Sequence, residues 1–232
     1  MSARRRYPID DPTVGGDSPA SPFLPWPNPG GTMSQLRRLV MIRHGETDGE
    51  SSVRFHGATD VPLSDAGRAH MRDVSRKLRQ EVFDLVVAST LQRSWEGAQI
   101  VAGGAPVRLE ANFREIDFGR WEGLTAPEIE ESDPVLYKEW QEKKAVFDFP
   151  GGEIRTEYRA RVLRGLDRIE KSGAACSLLV VHKGTIRTLV QHLLGNPLPD
   201  DEPPLGGVVA LSRGAAGDWY LGRHGSNPEG VV

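Results

Sequence analysis

Two histidines and two arginines stand just beyond short apolar runs at three separate places in the chain. Arg43, His44 and Gly45 follow the run at 39–42. Ser89, Thr90 and then Arg93 follow the run at 83–88, and His182, Lys183 and Gly184 follow the run at 177–181. If those runs are strands of an open α/β sheet, all these residues reach one edge, because ligand crevices lie beyond the carboxyl ends of such strands. Two guanidiniums offer planar donor forks to a tetrahedral anion, and a helix opening near Lys183 adds backbone N–H donors with partial positive charge. The natural guest is a phosphoryl group. An imidazole with a reference pKa of about 6.5 is mostly neutral at pH 7, and nearby arginines lower that value further. A neutral imidazole beside phosphorus can act as a nucleophile and carry a covalent phosphohistidine. Such chemistry also needs a proton donor for the departing oxygen. The segment 112–123 offers Glu115, Asp117 and Glu122 next to Phe118 and Trp121, where apolar surroundings suit a carboxyl group to give and then take a proton. Position alone does not choose among the three. A second Arg-His-Gly triplet at 223–225 has no helix pattern behind it and reads as chance.

The elements that must position these groups follow from periodicity. The runs at 39–42, 83–88 and 177–181 read as strands buried on both faces, with a brief strand at 107–109. Ser64, after Pro62, opens a helical pattern through Met71, Val74 and Leu78. Ser89 or Thr90 is placed to cap a helix whose inner face carries Trp95, Ala98 and Val101 and which stops at Gly103 and Gly104. Ile154, Tyr158, Val162, Leu166 and Ile169 follow helical spacing, as do Ile186, Leu189, Val190 and Leu193 before Gly195 and Pro197. The residues at 208–211 and 219–221 flank a turn-rich stretch and read as a terminal hairpin. Strand and helix in alternation imply a three-layer α/β/α sandwich around a mostly parallel sheet.

Composition bounds the rest. With 29 Lys plus Arg against 32 Asp plus Glu in 232 residues, the net charge of −3 gives no global reason to expect nucleic acid or an anionic membrane as partner. No apolar stretch approaches the roughly 18 residues of a membrane span, so a soluble cytoplasmic protein is expected. The single cysteine, Cys176, has no partner for an internal disulfide. Residues 1–33 hold seven of the 17 prolines and no periodic apolar run, which reads as a disordered extension. Its one apolar cluster, Phe23, Leu24 and Trp26, suggests a docking arm as the sharper reading, and Met33 is an alternative start. The working domain is then 34–232. The sequence sets no oligomeric state and leaves a homodimer open.

These residues resemble the histidine phosphatase superfamily, in its phosphoglycerate-mutase-like branch. The resemblance runs from about 36 to 195 in family order. It covers the signature at 43–47, the segment 57–64 with Gly67, the stretches 89–93 and 113–123, the turn at 150–153, and 180–184. It implies His44 as the nucleophile, Glu115 as general acid and then base, and His182 in the catalytic set. Arg43, Arg93 and His182 bind phosphoryl oxygens, with Arg54 and Gly184 also on the substrate. No metal or organic cofactor is implied, and the partner is a small phosphorylated substrate. Two departures stand out. Glu50 occupies a place where the family often has Asn, so it must point away, with Ser51 or Ser52 substituting. Lys183 follows the second histidine where many relatives have Gly, which brings an extra ammonium towards the substrate. The expected activity is a phosphomonoesterase. The alternatives are a phosphoglycerate mutase, disfavoured by the lack of its basic, proline-rich insertion, and a phosphate-binding sensor that has lost turnover.

Overall fold

The computed structural model describes Trp26 and residues 35–222. Six strands form one sheet in the order β3-β2-β4-β1-β5-β6. They are β1 (Arg38–Arg43), β2 (Leu85–Ser89), β3 (Val107–Glu110), β4 (Cys176–Val181), β5 (Val208–Arg213) and β6 (Trp219–Gly222). The first four are parallel neighbours; β5 runs antiparallel to β1 and β6 antiparallel to β5, which makes the expected terminal hairpin. The helices are α1 (Asp65–Leu78), α2 (Gln92–Ala102), α3 (Ala126–Ser132), α4 (Pro134–Lys143), α5 (Arg155–Lys171) and α6 (Lys183–Leu194).

Strands β1, β2 and β4 are apolar on both faces, and their side chains alternate between two cores. Leu39 and Met41 of β1, with Leu179 and Val181 of β4, join the core under α5 and α6, together with Val162, Ile169, Ile186 and Leu189. Val40, Ile42, Leu178 and Val180 point the other way, into the core under α1 and α2, with Met71, Val74 and Ala98. The two cores are the two interfaces of the α/β/α sandwich.

Local signals explain most boundaries. Ser64 Oγ accepts the Gly67 amide at 3.1 Å and caps α1, a bond of a kind that contributes about 1 kcal/mol. Gly103 and Gly195 end α2 and α6 in the left-handed conformation, at φ +57° and +77°. The start of α2 departs from expectation. Neither Ser89 nor Thr90 caps it; Leu91 holds the cap position without a side-chain bond, and the Gln92 amide donates to Asp60 Oδ1 at 2.6 Å. A carboxylate distant in sequence has replaced the local hydroxyl. Ser89 Oγ instead accepts the Leu91 amide, inside the turn. Trp95 is only partly buried, whereas Tyr158 and Val162 are core residues as their spacing implies.

Trp26 corrects the docking-arm reading. It is half-buried against the domain's own core, and the Arg168 guanidinium lies 4.7 Å from its ring centroid while ion-pairing with Glu110 at 2.9 Å. The rest of the disordered extension expected at 1–33, Met33, and the second triplet at 223–225 lie outside the described residues. No helix among the described residues is long and apolar enough to cross a membrane.

Candidate active site

The carboxyl ends of β1 and β4 place His44 and His182 side by side. Their ring centroids are 5.2 Å apart with planes inclined at 63°, and the residues are 4% and 1% exposed. His44 Nδ1 lies 2.8 Å from the Gly45 carbonyl oxygen. A carbonyl only accepts, so Nδ1 carries the proton and Nε2 keeps its lone pair. Gly45 is required by a close approach. A Cβ there would sit 2.5 Å from the Gly67 carbonyl oxygen in the first turn of α1, and one on Gly67 would sit 1.9 Å from the Glu46 carbonyl oxygen.

Burial holds both imidazoles neutral. The pKa of His44 lies well below the usual value, first through burial and then through the positive charge of Arg93. The His182 ring is shifted the same way for the same two leading reasons. Both rings therefore bind fewer protons folded than unfolded once the pH falls below about 6.5, so stability declines with acidification from that point. We expect the melting temperature to drop between pH 6.5 and 5.5, and to drop less in a His44→Asn, His182→Asn variant, as read by calorimetry.

Arg93 enters from the first turn of α2 and is fully buried. Its Nη1 donates to the Thr59 carbonyl at 2.8 Å, and its Nη2 to those of His56 and Gly57 at 3.0 and 2.8 Å. Burial pulls its pKa down to about 10, which still leaves a full charge at neutral pH. Arg43 gives Nη1 to the Pro203 carbonyl at 3.1 Å. The Nε atoms of Arg43 and Arg93 and both ring nitrogens of His182 are buried without a hydrogen-bond partner. Arg43 and His44 line the cavity, whereas Arg93 and His182 are not among the residues that line it.

The three carboxylates left open by spacing separate cleanly. Asp117 accepts the Gly119 amide at 2.8 Å and shapes a turn. Glu122 accepts the amides of Gly57, Ala58, Thr59 and Phe118 at 2.9–3.2 Å, and the Thr59 hydroxyl at 2.5 Å. It staples the 57–59 loop, and so the carbonyls that hold Arg93, to the 118–122 turn. Truncating Glu122 to Ala strands these donors and should cost about 3 kcal/mol, visible as a lower urea midpoint with an unchanged slope.

Glu115 alone of the three lines the cavity. Its Oε1 accepts the Ile116 amide at 3.0 Å and the Tyr158 hydroxyl at 2.8 Å, while among the described residues Oε2 accepts only the Gly184 amide, at 2.9 Å. One lone pair of Oε2 is left to exchange a proton. Arg161 fixes the backbone beneath, donating to the carbonyls of Asn112, Arg114 and Glu115 at 2.9, 2.6 and 3.0 Å and pairing with Glu153 at 2.6 Å. Tyr158 is buried, and its pKa is driven well up, first by burial and then by Glu115, so it stays a donor. Gly184, expected on the substrate, has its amide engaged by Glu115. A Cβ there would meet Glu115 Oε1 at 2.4 Å, so the glycine makes room for the carboxylate.

The remaining expectations divide. Arg54 lines the cavity but is held by Glu50 at 3.2 Å, Glu128 at 2.9 Å and the Gly123 carbonyl at 2.8 Å. Glu50 is turned onto Arg54 at the surface, and Ser51 and Ser52 line the cavity in its place. His56, which no sequence motif singles out, lines the cavity and reaches the Gly49 carbonyl through Nε2. Phe55, Phe118, Trp140 and Phe149 make an aromatic wall, with Trp140 supplied by α4 and Lys144 just beyond it. The segments that become α3 and α4 carry no strong periodic signal in the sequence, and α4 has no fully buried residue. Among the described residues no group of three or more His, Cys, Asp or Glu is placed to hold a metal ion.

Residues 39–211 match the family model for the histidine phosphatase superfamily, branch 1. The chain is 34% identical over 184 residues to a glucosyl-3-phosphoglycerate phosphatase of Mycolicibacterium vanbaalenii, covering 75% of this chain and 81% of that one. Other relatives at 34% identity are longer, and the chain spans about half of each, 49%. A mycobacterial glucosyl-3-phosphoglycerate phosphatase solved with VO3 superposes with a TM-score of 0.66 at 32% identity, over 80% of this chain and 97% of that one. The alpha-ribazole phosphatase of Shigella flexneri gives 0.70 at 26% identity, over 84% and 99%. Taken with the paired histidines at the strand ends, these matches place the chain in the histidine phosphatase superfamily, branch 1, as a phosphatase.

Proposed function

We propose that the protein hydrolyses a small phosphorylated metabolite in two steps through a phosphohistidine on His44. The observation that carries this reading is the 2.8 Å contact of His44 Nδ1 with the Gly45 carbonyl, which assigns the proton to Nδ1 and leaves Nε2 of a buried, cavity-lining residue free to act as nucleophile beside Glu115. In the first step Nε2 attacks phosphorus as the bond to the leaving oxygen breaks, and that oxygen takes the proton of Glu115 Oε2. The Gly45 carbonyl stabilises the charge that develops on the imidazole. In the second step Glu115 removes a proton from water, the oxygen attacks phosphorus, the P–N bond breaks, and phosphate leaves with His44 restored. Arg43 and Arg93 supply fixed positive charge, and with His182 they supply the unpartnered buried nitrogens for the phosphoryl oxygens.

Support also comes from the vanadate-bound mycobacterial relative, since vanadate resembles phosphate in shape and charge. The direct test follows free phosphate from a panel of phosphomonoesters spanning sugar phosphates, phosphoglycerates, nucleotides and phosphopeptides. Steady release from small metabolites supports the proposal. Isomerised phosphoglycerate without release would replace it with a mutase, and binding without turnover would replace it with a sensor.

A further inference from the structure

The cavity measures about 670 Å³, far more than one phosphoryl group fills, and is lined by seven Arg and Lys side chains against two carboxylates, Glu115 and Asp200. Several of the cations are accounted for. Arg54 pairs with Glu50 and Glu128, and Arg187 and Lys144 share Asp200 at 3.1 and 3.7 Å. Arg43 belongs to the phosphoryl site. Two that remain are partly buried, Lys183 and Arg155. The Lys183 side chain, at the start of α6, makes no hydrogen bond or ion pair with any described residue; its ammonium is disfavoured first by burial and then by Arg43 and Arg187, with Asp201 and Asp200 acting more weakly the other way. Arg155, at the start of α5, gives Nε to the Phe147 carbonyl at 3.2 Å and lies 5.3 Å from the Phe149 ring centroid, with no carboxylate on its guanidinium. Burial likewise works against its charge, while Tyr158, Glu115 and Asp148 favour it, Asp148 accepting the Arg155 backbone amide at 2.7 Å.

Cations drawn partly out of water without a direct ion pair are costly, and binding sites are built so that the guest supplies the contact. One phosphoryl group does not fill the cavity, and neither the Lys183 nor the Arg155 side chain has a direct ionic partner among the described residues. We propose that Lys183 and Arg155 form a second anionic subsite, so that the preferred substrate is a compact phosphomonoester carrying a further negative group. Lys183 adjoins His182 and precedes Gly184, whose amide holds Glu115, so the second charge sits within a few bonds of the ester. The inference rests on the phosphatase reading above and narrows its substrate class. It also gives a purpose to the ammonium that marks this chain off from the resemblance.

The test compares kcat/KM within matched pairs at low ionic strength. 3-Phosphoglycerate against glycerol 3-phosphate isolates a carboxylate, and fructose 1,6-bisphosphate against fructose 6-phosphate isolates a second phosphate. We expect the more anionic member of at least one pair to be favoured tenfold or more. That ratio should fall at least fivefold in Lys183→Gln and in Arg155→Gln, return in Lys183→Arg, and shrink as salt is raised. The responding pair identifies the group. A ratio near one in both pairs, or one that survives both substitutions in variants with an unchanged melting temperature, would overturn the subsite while leaving phosphate release intact. Absence of release from every member would instead refute the phosphatase reading.

Discussion

Replacing His44 by alanine should lower kcat by about four to six orders of magnitude while the fold persists. The size follows from the role, because removing a covalent nucleophile forces reaction through direct attack of water, and comparable losses follow deletion of other enzymic nucleophiles. The substitution removes one side chain and one hydrogen bond to the Gly45 carbonyl. It leaves Arg43, Arg93 and His182 in place, and each is held by backbone elements that His44 does not build. The variant should therefore still bind phosphate or vanadate. Steady-state release, far-ultraviolet circular dichroism and vanadate titration separate the outcomes. Residual activity within tenfold of the parent would show that His44 is not the nucleophile.

Removing the carboxylate of Glu115 should cost about two to four orders of magnitude in kcat for substrates with poor leaving groups. The loss should be smaller in the first step for aryl phosphates, whose phenolate departs without a proton, so the phosphoenzyme should accumulate before the slowed attack of water. Glu115→Ala is the cleaner variant. In Glu115→Gln, an amide oxygen accepting from Ile116 and Tyr158 turns its NH2 group against the Gly184 amide, which now donates to Oε2. Rapid-quench kinetics with an aryl phosphate should show a burst of phenol approaching one equivalent. Equal losses for aryl and alkyl substrates, with no burst, would remove Glu115 from proton transfer.

Much of this arrangement is legible in the sequence because it depends on short-range signals. Apolar runs such as 39–42 and 177–181 alternate their side chains between two cores, so a strand buried on both faces is written into consecutive residues. The residue after the run then falls at the sheet edge, which is why His44 and His182 are found before any contact is known. What escapes is decided by groups far apart in the chain. Glu115, Asp117 and Glu122 look alike in sequence; only the amides of Gly57, Ala58 and Thr59 converting Glu122 into a staple, and the Gly184 amide reaching Glu115, distinguish them. The same holds for Asp60 at the start of α2, His56 in the cavity wall and Arg168 over Trp26. The weakly amphipathic α4 has no fully buried residue to announce it, yet it delivers Trp140 to the cavity.

The central claim is a phosphorus–nitrogen bond on one imidazole. Rapid quench of Glu115→Ala with an aryl phosphate, followed by digestion and mass spectrometry of the peptides at neutral to alkaline pH, locates that bond directly. We expect an acid-labile, base-stable phosphoryl group of about one equivalent on the peptide that contains His44, absent when His44 is replaced by alanine. A stable phosphoryl ester on a serine, a label on His182, or turnover by Glu115→Ala with no phosphoenzyme on any peptide would contradict it.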